Sequence, residues 1–284
     1  MRALRRPPRG GGRPDFPPRW HLRRPQLLAD TRTSRVWQAL RADGSRAVVK
    51  AIKPAGTDEL HGAALLRWRR GEGLVRLYAV SGHRQLLEHA GGTSLAQFLG
   101  ERGDIEATDI AAEVLARLSA PSRTPAPAGL TPLSMYFASL FTRARGRPAG
   151  DPYREAARMA ERLLRAARDA RPLHGDLHHD NILHGPRGWL AIDPRGLVGD
   201  AAFDAANLLY NPLRRDDLCL DAEHLHRRAE TYARALGQEL PPILAHAYAY
   251  GCLSAAWHAE DGNAASEARE LAVAAKILEL VRAL

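Results

Sequence analysis

The chain has 284 residues, 45% hydrophobic and 26% charged, an ordinary globular composition with length enough for two lobes and a sizeable core. This excludes a mostly disordered chain, and without an apolar run of roughly eighteen residues or an apolar stretch after the first arginines neither a transmembrane helix nor a secretory signal is expected. The net charge of +9 is concentrated in residues 1–25, where eight Arg and one Asp give +7; the body carries only +2 (9 − 7), which argues against a nucleic-acid-binding surface.

Residues 1–25 are dominated by Arg, Pro and Gly and are expected to form a disordered tail, either a solvated one or a polyanion-binding arm. From residue 26 the texture changes. Short β-type runs at 27–29, 36–40 and 47–52 are separated by polar turns, one of them Asp43-Gly44. A helix is predicted over 58–69, where Leu60, Ala63, Ala64 and Trp68 recur at helical spacing. Strands at 75–80 and 85–88 follow, then the Gly91-Gly92 break. Residues 26–91 therefore read as a small α+β lobe. Residues 92–284 read as a larger helical lobe, with helices near 94–100, 107–118, 133–143, 152–169, 201–209, 221–236, 241–259 and 264–283. Asp151 and Pro152 supply a cap and a first-position proline for the fourth of these. The only cysteines, Cys219 and Cys252, make no disulfide framework and fit a reducing cytoplasm. Lysine occurs only at positions 50, 53 and 276, so each lysine is more informative than the abundant arginines.

The helices are interrupted by 173–200, LHGDLHHDNILHGPRGWLAIDPRGLVGD. Asp176 is followed five residues later by Asn181, and a hairpin turning at Gly185-Pro186-Arg187-Gly188 delivers Asp193 to the end of its second strand. A hairpin returns the chain on itself, so Asn181 and Asp193 can offer two oxygen ligands to a hard cation such as Mg2+. Asp176 stays free to accept a hydroxyl proton. His-x-Asp-x-x-x-x-Asn followed by a metal-binding Asp is the pattern of phosphoryl transfer on a protein-kinase-like fold. The alternative is a zinc cluster of His174, His178, His179 and His184 with Asp176 and Asp180, but no His-Glu-x-x-His spacing is present.

LHGDLHHDNIL, WLAIDPRGLVGDAAFDAANLLYNP and GCLSAAWHAEDG resemble the aminoglycoside phosphotransferases, in particular the branch of streptomycin 6-phosphotransferases and hydroxyurea phosphotransferases. The likeness runs from about residue 30 to the carboxyl terminus and is densest over 173–212. It implies a bilobal kinase-like α+β fold, ATP and Mg2+ as cofactors, and phosphorylation of a hydroxyl on a small molecule. By position, Asp176 matches the catalytic base, Asn181 and Asp193 the magnesium ligands, His174 the residue shaping the loop, and Asp204 an acid bracing it. Where the family often has Lys after the Asp-Pro pair, this chain has Arg195.

In the first lobe Lys50 resembles the strand lysine that contacts phosphates. Lys53, three residues on, faces the other side of a strand. The helix glutamate that pairs with this lysine in the nearest relatives falls at Gly62, and Glu59, on the same helix face, is the candidate substitute. The glycine-free loop 30–34 offers Thr31, Thr33 and Ser34 as phosphate donors, or is simply a polar turn. Residues 86–92, including Glu88 and Ala90, resemble the interlobe hinge whose backbone binds adenine. A cationic substrate calls for carboxylates, for which Asp216, Asp217, Asp221, Glu223, Glu260 and Asp261 are candidates. Trp257, Tyr248 and Tyr250 read as core. The alternatives are a kinase for hydroxyurea or a sugar, or a non-catalytic pseudokinase module. The expected partner is a hydroxylated small molecule, cationic where it is an aminoglycoside, with no membrane and no nucleic acid.

Overall fold

A computed structural model describes residues 14–122 and 124–284; the arginine-rich stretch 1–13, part of the expected tail, lies outside them. The first lobe is a five-stranded antiparallel sheet ordered β1-β2-β3-β5-β4, from β1 (Arg23–Asp30), β2 (Ser34–Leu40), β3 (Arg46–Ile52), β4 (Leu77–Ser81) and β5 (Arg84–Glu88). Alternation along β3 assigns its faces. Ala47 and Val49 turn to the back, where Trp20 and Leu86 complete a small buried cluster edged by Phe16 and Leu22. Val48 and Lys50 turn to the opposite face, towards the second lobe.

This back cluster corrects the expected boundary at residue 25. Pro18–Trp20 form a 3-10 turn, β1 begins at Arg23, and Trp20 is only 8% exposed. Asp15 pairs with Arg84, and Phe16 meets Trp37 edge to face. A few aromatic side chains suffice to fold an otherwise Pro- and Arg-rich segment onto the sheet.

Between β3 and β4 the helical stretch starts as a 3-10 segment, Pro54–His61, and becomes α-helical only in α1 (Gly62–Arg69). The second lobe comprises β6 (Thr93–Ser94), α2 (Leu95–Arg102), α3 (Asp104–Ser119), β7 (Thr131–Pro132), α4 (Leu133–Tyr136), α5 (Ala138–Ala144), α6 (Pro152–Ala166), β8 (Arg171–Leu173), β9 (Ile182–Gly185), β10 (Gly188–Ala191), β11 (Leu197–Gly199), α7 (Ala202–Leu209), α8 (Asp216–Cys219), α9 (Ala222–Leu236), α10 (Leu240–Glu260) and α11 (Ala264–Ala283). The helix expected over 133–143 breaks at Phe137 into α4 and α5. Helix α10 is the axis of the lobe: every residue from Ile243 to Ala256 is buried, and α6, α7 and α11 surround it. It is apolar all round because it has no solvent face.

Two small sheets frame the loop of interest. The β9–β10 hairpin pairs with β6, while β11 lies parallel to β7 and antiparallel to β8. The loop 174–181 thus leaves one sheet and enters the other. The lobes meet where α1 starts. A Cβ on Gly62 would lie 1.9 Å from the Pro194 carbonyl oxygen, so only glycine lets the helix approach the loop after β10. The same closeness recurs at the hinge, where a Cβ on Gly91 would lie 1.8 Å from the His184 carbonyl. Restoring the glutamate of the resembling family, Gly62→Glu, is expected to lower Tm by several degrees despite the gain in helix propensity, since overpacking against backbone costs about 1–3 kcal/mol. Thermal unfolding checks this; an unchanged Tm would show that the lobes can part there at no cost.

Candidate active site

The loop 174–181 is held by its own backbone. Asp204, on α7, accepts the amide hydrogens of His174 (2.8 Å) and Gly175 (2.7 Å). His174 is buried. Its Nδ1 accepts from the Asp176 amide (3.2 Å), which leaves Nε2 as the protonated nitrogen donating to the Ile192 carbonyl (2.9 Å). One neutral imidazole therefore ties the loop to the end of the β9–β10 hairpin. Burial pushes its pKa down to about 4 and that of the Asp204 carboxyl up to about 6, although the two amides oppose the latter shift.

The Asp176 side chain is partly exposed, at 26%. Its Oδ1 accepts from Asn207 Nδ2 (2.9 Å), and its Oδ2 lies 3.6 Å from Arg195 Nε. Desolvation raises its pKa, against the opposing pull of His178 and Arg195. Asn181 donates from Nδ2 to the Asp176 carbonyl (2.9 Å), so its amide oxygen turns the other way, and its own carbonyl accepts from the Ile192 amide (2.9 Å). Asp193 follows directly, at φ +60° and with its side chain 46% exposed.

Across the cleft, Lys50 on β3 makes an ion pair with Glu59 (2.7 Å) and a second contact with Asp193. Glu59 thus reaches the lysine from the 3-10 segment before α1, and Gly62 is the contact point with Pro194. Lys53 turns away, to Asp30 and the Thr31 carbonyl at the β1–β2 turn. In that turn the Thr31 hydroxyl donates to the Ser34 carbonyl and accepts from the Ser34 amide, the Thr33 hydroxyl lies 3.3 Å from that of Thr31 while the Thr33 carbonyl accepts from the Lys53 amide (2.7 Å), and Ser34 is buried. The turn is held by its own hydroxyls, and Thr33 also lines the larger of the two adjoining cavities.

Two cavities open beside these groups. One, of ≈ 170 Å³, is an apolar slot between Val48, Leu87, Ala90, Leu183 and Ile192, with Lys50 and Asp193 at one end. Glu88 borders it, but its carboxylate is spent in a bidentate pair with Arg187 (2.7 and 2.6 Å), which clamps the hinge to the β9–β10 turn. The other, of ≈ 520 Å³, lies between the β1–β2 turn and α10 and is lined by Asp58, Tyr136, Arg195, Trp257, Glu260 and Asp261 among others. Trp257 is therefore a wall of this cleft, in edge contact with Tyr136 (5.1 Å), and not only core as expected. Asp217 does not join it: it is paired with Arg215 (2.7 Å) on α8. Asp216 is bound to Arg269 and Asp221 caps α9, so these acids serve local structure.

This geometry has known counterparts. Residues 19–262 match the family model described as aminoglycoside/hydroxyurea antibiotic resistance kinase. The chain belongs to this family. The kinase is 39% identical over 249 residues to a streptomycin 3''-kinase of Klebsiella pneumoniae, covering 86% of this chain and 91% of the relative, and 31% identical over 267 residues to a streptomycin 6-kinase of Streptomyces griseus, covering 90% and 85%. Its fold is that of a thermostable mutant of the aminoglycoside phosphotransferase APH(4)-Ia, solved with AMP-PNP and hygromycin B, at a TM-score of 0.61 and 12% identity over 90% of this chain and 94% of that one. The protein is a small-molecule phosphotransferase with a hydroxyl acceptor.

Among the described residues of the kinase, no three His, Cys, Asp or Glu side chains gather to hold a metal, which sets the zinc alternative aside. The amide oxygen of Asn181 and the carboxylate of Asp193 are hard oxygen donors and fit Mg2+, which takes few protein ligands. Sequence reasoning assigned no role to Asn207 and Asn211, which lie within the resembling stretch 189–212 but carry no charge. Asn211 Nδ2 donates to Asn207 Oδ1 (2.8 Å), and the buried Arg228 donates to the Asn211 carbonyl (2.7 Å).

The shifts of His174 and Asp204 have opposite consequences for stability. From about pH 4 to 6.5 folded His174 binds fewer protons than the unfolded chain, so its contribution to stability rises with pH. From 3.8 to about 6 folded Asp204 binds more protons, so its contribution falls. In Asp204→Asn only the histidine slope remains. The variant is expected to be less stable throughout, and its deficit relative to the native kinase to narrow as pH rises from 4 to 6. Thermal unfolding across that window checks this; a deficit independent of pH would contradict the assignment.

Proposed function

We propose that the kinase transfers the γ-phosphoryl group of ATP, with Mg2+, to a hydroxyl of a cationic, polyhydroxylated compound of the streptomycin kind. The reading is carried by one observation: Lys50, paired with Glu59, and Asp193 border an apolar slot, while Asp176, whose backbone carbonyl holds Asn181, lies beside Arg195 on the lining of a larger cleft. The slot, apolar and of ≈ 170 Å³, suits adenine, and residues 88–90 along it would offer backbone hydrogen bonds. Lys50 would meet the phosphates, and Asn181 and Asp193 would hold Mg2+, which neutralises charge on the transferring group. Asp176 takes the hydroxyl proton as the substrate oxygen bonds to the γ-phosphorus and the bond to the β-phosphate oxygen breaks, releasing ADP. Arg195, which also pairs with Asp58 (2.9 Å), keeps a positive charge beside that base.

The larger cleft supports a cationic substrate. Glu260 closes α10 and Asp261 is its C-cap, both exposed. Carboxylates at a helix C-terminus oppose the macrodipole and cost stability, so their presence on a cleft wall points to a ligand. Beside them the faces of Trp257 and Tyr136 suit a guanidinium or ammonium group. Hydroxyurea, which is neutral, gains nothing from these acids. The intact Lys50–Glu59 pair and the available Asp176 favour catalysis over a pseudokinase scaffold. No helix of the described residues is long and apolar enough to cross a membrane, and both cysteines are buried thiols, in keeping with a reducing cytoplasm as the site of action.

Asp176→Ala is expected to lower turnover with streptomycin about 10²–10⁴-fold while leaving ATP affinity nearly unchanged. ADP release and calorimetric titration measure the two; undiminished turnover would remove Asp176 as the base.

A further inference from the structure

We infer that Asn207 is a positioning residue for the phosphoryl transfer: its side-chain amide fixes the rotation of the Asp176 carboxylate so that Oδ2 faces the acceptor hydroxyl. The inference rests on the reading of Asp176 as the proton acceptor.

The geometry determines which way the Asn207 amide points. Asn207 Oδ1 accepts from Asn211 Nδ2 (2.8 Å), so Nδ2 must be the end turned to Asp176, and it donates to Oδ1 there (2.9 Å). Asn211 cannot easily turn either. Its Nδ2 also donates to the Asn207 carbonyl (3.0 Å), and its own carbonyl accepts from Arg228, which is wholly buried. Asn207 and Asn211 are themselves 8% and 7% exposed, so water competes little for these bonds. With Oδ1 committed to an amide from α7, Oδ2 is left beside Arg195 Nε at 3.6 Å, and Arg195 lines the larger cleft.

An ionised carboxylate swings about its last torsion over a broad, shallow range. A donor fixed on one oxygen removes that freedom before the acceptor alcohol arrives, the usual way enzymes lower the reorganisation needed at the reacting atom. The alcohol proton then passes to Oδ2 as the new oxygen–phosphorus bond forms. Asn207 lines neither the apolar slot nor the larger cleft, so its effect is expected through Asp176.

The test is Asn207→Asp, which keeps the shape but replaces the donor with an acceptor, together with Asn207→Ser, which shortens the side chain and adds no charge. Steady-state kinetics with ATP and streptomycin should show kcat reduced about ten- to hundredfold in both, the worth of one hydrogen bond to a charged group, with both KM values within about twofold of native. Binding of AMP-PNP and Tm are measured alongside. In an Asp176→Asn background, where there is no carboxylate to orient, adding Asn207→Ser should lower the residual rate by less than twofold. If both variants keep native kcat, or if kcat falls only in proportion to lost nucleotide binding or lost folded protein, the inference fails. An undiminished rate for Asp176→Asn would instead reject the base on which it rests.

Discussion

One ammonium group joins the two lobes at the mouth of the cleft. Lys50 leaves the sheet of the first lobe, pairs with Glu59 from the segment that follows, and reaches Asp193 from the second lobe. The lysine and Glu59 side chains are 7% and 8% exposed, and removing one partner of so buried a pair leaves an uncompensated charge at a cost of about 3–5 kcal/mol. Asp193, by contrast, is nearly half exposed, so its contact with Lys50 is the one open to exchange from the cleft. The pair within the lobe is structural, and the contact between lobes is the adjustable one.

The rest of the site depends on backbone anchoring. A buried carboxylate, Asp204, takes two loop amides, and a buried neutral imidazole, His174, links the loop to the hairpin that carries Asp193. Both groups are held in forms that burial opposes or enforces, and neither touches a cavity that would take substrate. The loop after β10 is fixed again by the approach of α1 at Gly62, and the hinge by Glu88 and Arg187. The site is thus built from anchored pieces, with exposed carboxylates at both openings, Asp193 at the slot and Asp58, Glu260 and Asp261 at the larger cleft.

Much of this was legible in the residue pattern. The spacing of His174, Asp176, Asn181 and Asp193 encoded a loop and a hairpin, because each element is local in sequence. Glu59 was legible as a partner of Lys50 because helical spacing allowed it. Gly62 was not legible in its role: as a letter it is a missing glutamate, and only the Pro194 carbonyl against it shows a steric requirement. Trp20 was hidden in a composition that reads as unfolded, since average content says nothing about two well-placed aromatics, Phe16 and Trp20. Asn207 acts across 31 positions of chain through a neutral amide, which leaves no periodicity or charge to detect. Asp217 was a candidate on charge alone, and its neighbour Arg215 absorbs it.

The account turns on what Lys50 does when the slot is filled. A crystal structure of the kinase with Mg2+ and AMP-PNP tests it most directly. The expected result has Lys50 still bound to Glu59 but moved from Asp193 to the phosphates, with Asn181 and Asp193 on the ion. A nucleotide seated elsewhere, or an ion held by other residues while Lys50 remains on Asp193, would contradict it.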